Sequence, residues 1–257
     1  MYPVIDSHIH LDFYQPRDLE LLIHDLTTYQ VEMVIAVSTH YDSSLINLNL
    51  AQAHAAIKPA FGYHPEQVLP SETDIEKLLQ IMINQKDEIV AIGEVGLPYY
   101  TRKKQPQLQL EPYIELLEMF LKLGKELAKP IILHAVYEDA KLACDLLEKH
   151  SIKQAHFHWF KGDPKTVQRM IENGYFVSFT PDLLYEEEIR QLAKHYPIKQ
   201  IMVETDGPWP FKGPFQDQLT HPKMLHPIIE ELAKIKKLEV REVYQTVYQN
   251  TKQFYRV

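Results

Sequence analysis

The sequence contains very little cysteine, and it lacks both a long apolar run and a basic leader segment. Cys144 is the single cysteine, so no disulfide can form within the chain. A chain without disulfides fits a reducing compartment. No apolar run approaches the ~18 residues that a membrane-spanning helix needs. Met1 is followed almost at once by a strand-like run, with no basic segment between them. We therefore expect a cytoplasmic protein that is neither exported nor inserted into a membrane.

Glycine and basic residues are also scarce. The chain has 8 glycines in 257 residues, and none of its strand-like runs is followed by a glycine-rich dinucleotide fingerprint. Its formal net charge of -8 argues against a broadly basic face for nucleic acid, although a metal site can offset negative charge locally. With 45% hydrophobic and 24% charged residues, the composition is that of an ordinary globular protein with ample material for a core.

The sequence does contain a repeated alternation of β-branched apolar runs with helical patterns. The strand-like runs are residues 4–10, 31–37, 59–62, 88–95, 130–134, 154–158, 175–180 and 200–204. The helical patterns are residues 18–30, 43–56, 73–85, 111–128, 138–150, 165–173, 186–195, 225–235 and 240–255. The polar segment 98–107 is interpreted as a long loop.

This alternation predicts the fold class. Strands that alternate with helices form all-parallel sheets, and 257 residues is close to the ~250 typical of a (β/α)8 barrel. We therefore expect a TIM-type (β/α)8 barrel in a single domain, residues 1–257. An open doubly wound sheet is the alternative, and the absence of a glycine-rich fingerprint disfavours it.

The first strand-like run ends in two histidines, His8 and His10, with one residue between them. Side chains at positions i and i+2 of a strand point to the same side, so both imidazoles could reach one metal ion. The alternative is a pair of partly buried, hydrogen-bonded histidines at a strand end. The metal interpretation gains weight from the residues that follow later strands.

Those later strand ends carry further imidazoles and carboxylates, namely Glu94, His134, His156, His158 and Asp206. The carboxyl ends of barrel strands converge on one mouth, so we expect these groups to surround one or two divalent metal ions. Imidazole suits zinc, and carboxylate also suits manganese or magnesium, so the residue types do not distinguish these metals. Glu94 is the natural bridge between two ions, because each of its oxygens can bind one. Spacing alone does not rank His156 and His158 as ligands.

The motifs around these residues are residues 5–12 (IDSHIHLD), 62–65 (GYHP), 93–97 (GEVGL), 132–134 (ILH), 158–162 (HWFKG) and 204–206 (ETD). Together they resemble the motifs of the TatD-type metal-dependent hydrolases, a deoxyribonuclease-like family of the amidohydrolase superfamily. The resemblance covers nearly the whole chain. It implies a (β/α)8 barrel with a mono- or dinuclear site that hydrolyses a phosphodiester in a small molecule or a nucleic acid. The implied metal ligands are His8, His10, Glu94, His134, His158 and Asp206, which leaves His156 as a neighbour.

The chain departs from the family pattern where a substrate phosphate would be held. Pro98 stands where the family usually has aspartate, and Val136 lies where an arginine follows the fifth-strand histidine. The family's Arg-Gly and Asn-x-Pro elements are replaced by Lys212-Gly213-Pro214 and, later, His221-Pro222. These departures keep a second reaction open, the hydrolysis of an amide or lactone bond with the same metal ligands. A purely structural metal site is disfavoured, because the chain offers more ligands than one closed zinc site needs.

The expected mechanism is metal-assisted hydrolysis, in which the metal lowers the pKa of a bound water from ~15.7 towards ~7. Asp206 is expected to be both ligand and proton acceptor. His64, after the third strand, could bind substrate or protonate the leaving group, or it could simply pack in the Tyr-His-Pro turn. The basic run 102–104 could meet a phosphate, although a solvated loop is the simpler interpretation. No obligate protein partner is evident.

Overall fold

Eight strands run parallel to one another in the computed structural model, which describes residues 2–257. They are numbered β1 to β8 in chain order: Val4–Ile9, Val31–Val37, Ile57–Phe61, Ala91–Gly96, Ile131–His134, Ala155–Phe157, Phe176–Phe179 and Ile201–Val203. Each strand pairs with the next one along the chain. The circle closes where the Asp206 backbone N–H donates to the His8 carbonyl at 3.0 Å and the His10 N–H donates to the Gly207 carbonyl at 2.9 Å. The predicted (β/α)8 barrel is confirmed.

The helices surround this sheet and follow the apolar periodicity of the sequence. They are numbered α1 to α10: Pro16–Thr28, Tyr41–Ala53, Glu72–Asn84, Tyr99–Lys104, Glu111–Glu126, Glu138–Lys149, Pro164–Glu172, Glu187–His195, Leu225–Lys236 and Val240–Tyr255. Cys144 is buried in α6. Within residues 2–257 no helix combines the length and the apolar character that crossing a membrane requires.

The prediction of a loop over residues 98–107 is wrong, because this segment contains α4. The Glu66 carboxylate caps the helix, since Oε1 accepts from the Tyr100 backbone N–H at 2.8 Å and Oε2 accepts from the Thr101 N–H at 2.6 Å. The first N–H groups of a helix have no partner within it, so such a cap is stabilising. Glu66 lies 34 residues before Tyr100, and a local sequence pattern therefore gives no sign of this contact.

Two strand ends also differ from the prediction, and both bear on the site. β6 ends at Phe157 and β8 ends at Val203. His158 and Glu204 are therefore the first residues of the loops that follow these strands.

Apolar side chains fill the inside of the barrel as well as the space between strands and helices. Ile35 and Val37 alternate along β2 and belong to the interior cluster, which also contains Ala60, Ala91, Ile132 and Met202. Helix α10 contributes Phe254 and Tyr255 to the same cluster. The Phe254 ring packs on Phe176, the first residue of β7, with ring centroids 5.0 Å apart. The end of α10 therefore closes the amino end of the barrel.

Candidate metal centre

Six side chains with metal-binding groups meet at the carboxyl end of the barrel. They come from β1, from β4, from the last residue of β5, and from the loops after β6 and β8: His8, His10, Glu94, His134, His158 and Asp206. All but His134 are buried, and the His134 side chain is only 12% exposed. The structure thus brings together every residue that the sequence analysis singled out as a metal ligand.

One oxygen of Glu94 faces the two histidines of β1. Glu94 Oε2 lies 3.2 Å from His8 Nε2 and 3.4 Å from His10 Nε2. Asp206 Oδ1 lies 3.4 Å and 3.3 Å from the same two nitrogens. These two nitrogens and two oxygens form one compact group of potential metal ligands.

The other oxygen of Glu94 faces a second group. Glu94 Oε1 lies 2.6 Å from His158 Nε2, 3.0 Å from His134 Nδ1 and 3.3 Å from His64 Nε2. The two oxygens of one carboxylate therefore point into two separate sets of nitrogens. Each oxygen of Glu94 could therefore contribute a ligand to a different group.

Buried oxygens without hydrogen-bond partners show that the cluster fits divalent cations. Glu94 Oε2 and Asp206 Oδ1 are both buried and unpaired among the described residues. An unpaired buried carboxylate oxygen is costly, and a cation would satisfy both atoms. Ligand atoms of His8, His10 and Glu94 all lie within 4.8 Å of one another, as do those of His64, Glu94 and His134. Nitrogen and oxygen donors in this mixture suit zinc and manganese.

The charges in the cluster also favour a cation. Burial opposes ionisation of the Glu94 carboxyl, but His158 and other nearby imidazoles outweigh it and hold the pKa well below its usual range. Burial likewise acts to lower the pKa of His10, yet the nearby carboxylates of Asp206 and Glu94 outweigh it and raise that pKa to about 10. Burial, reinforced by the charge of His158, lowers the pKa of His8 well below its usual value. Glu94 is therefore an ionised carboxylate that is buried from solvent.

Three further carboxylates hold the cluster in place. Asp6 accepts hydrogen bonds from the Thr205 backbone N–H at 3.0 Å and its hydroxyl at 2.5 Å, which ties β1 to the segment after β8. Glu204 accepts a hydrogen bond from the Trp159 backbone N–H at 2.8 Å, and its Oε1 lies 3.6 Å from His158 Nδ1. Such outer contacts orient the imidazole ligands of metal sites.

The third of these carboxylates is Glu66, whose Oε1 lies 3.2 Å from His134 Nε2. The sequence analysis did not single out Glu66 or Glu204. Glu204 belongs to the ETD motif, which could have identified it. Glu66 carries no such signal beyond its place directly after the GYHP motif.

His156 lies deeper in the barrel than His158. Its Nδ1 is 2.8 Å from the Tyr255 hydroxyl, and its Nε2 is 2.6 Å from Ser178 Oγ. Both ring nitrogens therefore already have side-chain partners, one of which belongs to α10 at the amino end of the barrel. His158 instead follows the end of β6 and reaches Glu94.

We expect this difference in depth to appear in the metal content. Replacing His158 by Ala should remove at least half of the bound metal, because one of the two ligand groups loses a nitrogen next to Glu94. His156→Ala should reduce stability, but the folded protein should keep its metal. Elemental analysis of both purified variants, with circular dichroism to verify folding, measures this. Equal metal loss in the two folded variants would contradict the distinction.

A cavity of about 550 Å³ opens above the cluster. Its wall includes the aromatic side chains Phe13, Tyr100, Trp159 and Trp209, of which Trp209 is 49% exposed. Two lysines, Lys104 and Lys161, also line the cavity. Five of the six expected ligands, all except His8, line its floor, and an organic substrate has room above them.

His64 lies in the wall of this cavity. Its Nδ1 accepts a hydrogen bond from the Glu66 backbone N–H at 3.2 Å, so its Nε2 is directed at Glu94. Burial lowers the pKa of His64, and the negative charge of Glu94 opposes that shift. The imidazole thus combines a fixed orientation with access to the cavity.

An eight-stranded parallel barrel with histidines and carboxylates gathered at the carboxyl ends of its strands is the architecture of a metal-dependent hydrolase. The family model described as TatD related DNase matches residues 5–256. The chain therefore belongs to the TatD family of metal-dependent hydrolases, as its motifs predicted.

Named relatives agree with this assignment. An uncharacterized metal-dependent hydrolase from Haemophilus influenzae is 38% identical over 255 residues, covering 99% of this chain and 100% of the relative. Human deoxyribonuclease TATDN3 is 29% identical, with 96% and 92% of the two chains covered. The crystal structure of YJJV, a TatD homologue from Escherichia coli, superimposes with a TM-score of 0.88 at 25% identity, covering 99% of this chain and 98% of the other.

Proposed function

We propose that the protein is a phosphodiesterase, and specifically a deoxyribonuclease, whose site holds one or two divalent cations. The observation that carries the proposal is the division of Glu94, with one oxygen facing His8 and His10 and the other facing His134 and His158. A carboxylate divided in this way could serve a pair of divalent cations, which would supply Lewis-acid chemistry for phosphoryl transfer. The human relative is named a deoxyribonuclease, which supports the substrate class.

The proposed ligands form two groups that share Glu94. His8, His10 and Asp206 would complete the first group, and His134 and His158 the second. When bound, such cations act as Lewis acids that make a coordinated water more acidic and draw charge from the phosphoryl oxygen.

In this proposal Asp206 accepts the proton of the attacking water. Its backbone lies in the left-handed region at φ 48°, which Asp tolerates better than most residues. Its N–H is fixed to the His8 carbonyl at 3.0 Å, and its Oδ1 is buried without a hydrogen-bond partner among the described residues. A carboxylate held in this way keeps a free lone pair towards the reacting atoms, as a general base requires.

In this proposal His64 protonates the leaving group. We expect His64→Gln to lower kcat by about 10²-fold on a diester with an alkoxide leaving group, which needs a proton to depart. On a 4-nitrophenyl diester the decrease should be below about 5-fold, because 4-nitrophenolate leaves without protonation. Steady-state kinetics on the two substrates measures the difference. Equal decreases on both would instead assign His64 to substrate binding or to packing.

Hydrolysis of an amide or lactone bond is the second candidate function. Val136 lines the cavity where the family has an arginine after the fifth-strand histidine, so one expected phosphate contact is replaced by an apolar surface. The discriminating experiment is a screen of the metal-loaded enzyme against matched chromogenic phosphodiesters, lactones and anilides. Turnover of the phosphodiesters supports the first function, and turnover restricted to lactones or anilides supports the second.

A further inference from the structure

Two lysines line the cavity, one from a helix and one from a loop. Lys104 is the last residue of α4, and Lys161 lies between β6 and α7. Among the described residues that line the cavity, these are the only side chains with a permanent positive charge. The cavity wall therefore offers cations in addition to whatever metal the floor holds.

The helical conformation of α4 divides the basic run 102–104 among three environments, because successive residues of a helix point about 100° apart. Arg102 forms an ion pair with the buried carboxylate of Asp139. The Lys103 ammonium lies 4.9 Å from the centre of the Tyr99 ring and borders a neighbouring cavity. Lys104 alone of the three lines the cavity above the cluster.

Lys161 is held in the wall but keeps hydrogen-bonding capacity. Its ammonium lies 3.7 Å from Asp182 Oδ2, a loose ion pair. Asp182 already accepts hydrogen bonds of 2.6 Å from the Trp159 indole and from the Thr180 hydroxyl. Because an ammonium has three N–H donors, Lys161 has donors left for an anionic ligand.

We propose that Lys104 and Lys161 form an anion subsite that binds a second phosphate of the substrate, next to the one that is hydrolysed. The inference rests on the proposed phosphodiesterase function. The scissile group must reach the buried floor, whereas the Lys161 side chain is 21% exposed and Lys104 is exposed. The lysines are thus placed for a group farther from the floor than the scissile bond. Substrates with two or more phosphates are then preferred to diesters with one.

The experiment compares two diesters that differ by a single phosphate. The substrates are thymidine 5′-(4-nitrophenyl phosphate) and the same compound with a 3′-phosphate, both measured through 4-nitrophenolate release. The variants are Lys104→Gln and Lys161→Gln, with Lys103→Gln as the matched control, because it removes the same charge from the same helix outside the cavity. Metal content is measured on every sample.

The wild-type protein is expected to show a kcat/KM about 10-fold higher for the substrate with the 3′-phosphate, the effect of one or two charge-assisted hydrogen bonds. Lys104→Gln and Lys161→Gln should each lose most of this preference through KM, while the substrate without 3′-phosphate is hydrolysed at rates within about 2-fold of wild type. Lys103→Gln should keep the preference. Added salt should weaken the preference in the wild type and change it little in the cavity variants.

Three outcomes would overturn the subsite. The wild type could hydrolyse both diesters equally, the two cavity variants could keep the preference, or Lys103→Gln could lose it to the same extent. If neither diester is hydrolysed while a lactone or an anilide is, the phosphodiesterase function itself is wrong, and the subsite inference falls with it.

Discussion

Replacing Glu94 by Gln is expected to remove most of the metal from both ligand groups and to lower kcat/KM by about 10³-fold. The magnitude corresponds to the ~4 kcal/mol that breaking a buried charge contact costs. Glu94 is fully buried, and each of its oxygens approaches a different pair of histidines. An amide keeps the shape but loses the charge and one acceptor, so neither group keeps a complete set of anionic ligands.

The control is Glu66→Gln. Glu66 Oε1 lies 3.2 Å from His134 Nε2, on the side of the imidazole away from Glu94. Removing this outer contact should lower metal affinity in one group only, by about 10-fold. Metal titration followed by calorimetry gives the stoichiometry of each variant. A Glu94→Gln protein that binds as much metal as the wild type would refute the bridging role.

The Asp206→Asn variant should bind metal but turn over at least about 10²-fold more slowly, the low end of the effect of removing a general base. Asparagine preserves the shape of the side chain and one oxygen, yet it cannot take a proton from water. The decrease should appear in kcat, with a smaller change in KM. The measurement is kcat on whichever screened substrate is hydrolysed, with metal occupancy determined on the same sample.

Asp163→Asn is a matched control for the alternative, in which Asp206 only stabilises a turn. Asp163 caps α7 by accepting from the Lys165 and Thr166 backbone N–H groups at 2.9 and 3.2 Å. Asparagine is a nearly equivalent cap, so this variant should keep its activity. A fully metallated Asp206→Asn protein with wild-type kcat would show that Asp206 only stabilises a turn. Asp206 would then have no part in the mechanism.

The sequence was sufficient to predict the barrel, because the strand-like runs and the helical patterns that indicate it are both local signals. Strand-like runs such as 31–37 are apolar because barrel strands are buried on both faces, and β2 is buried at six of its seven positions. The expected ligands could be placed at one end for the same reason: each lies at or near the carboxyl end of a strand, and parallel strands end together. Their metal-binding roles remain proposals that the variants above test.

The remaining features depend on contacts between distant residues. No local pattern indicates α4, because the cap of this helix comes from the distant Glu66. Glu66 itself carries no local signal, because it contacts Tyr100 in the segment after β4 and His134 at the end of β5. His156 and His158 lie two residues apart in one strand-like run, so spacing alone does not separate them. The structure separates them by depth, since His156 contacts Tyr255 of α10 and His158 contacts Glu94.

Phe254 and Tyr255, which close the amino end of the barrel, affect how the chain folds as it is synthesised. The Tyr255 hydroxyl donates to the Ser7 carbonyl at 3.2 Å, so a residue 248 positions later in the sequence completes the surroundings of β1. All of the intervening residues must leave the ribosome before this contact forms. Until then Phe254 and Tyr255 cannot join the cluster inside the barrel. The histidines of β1 are thus synthesised well before Tyr255, which completes the surroundings of their strand.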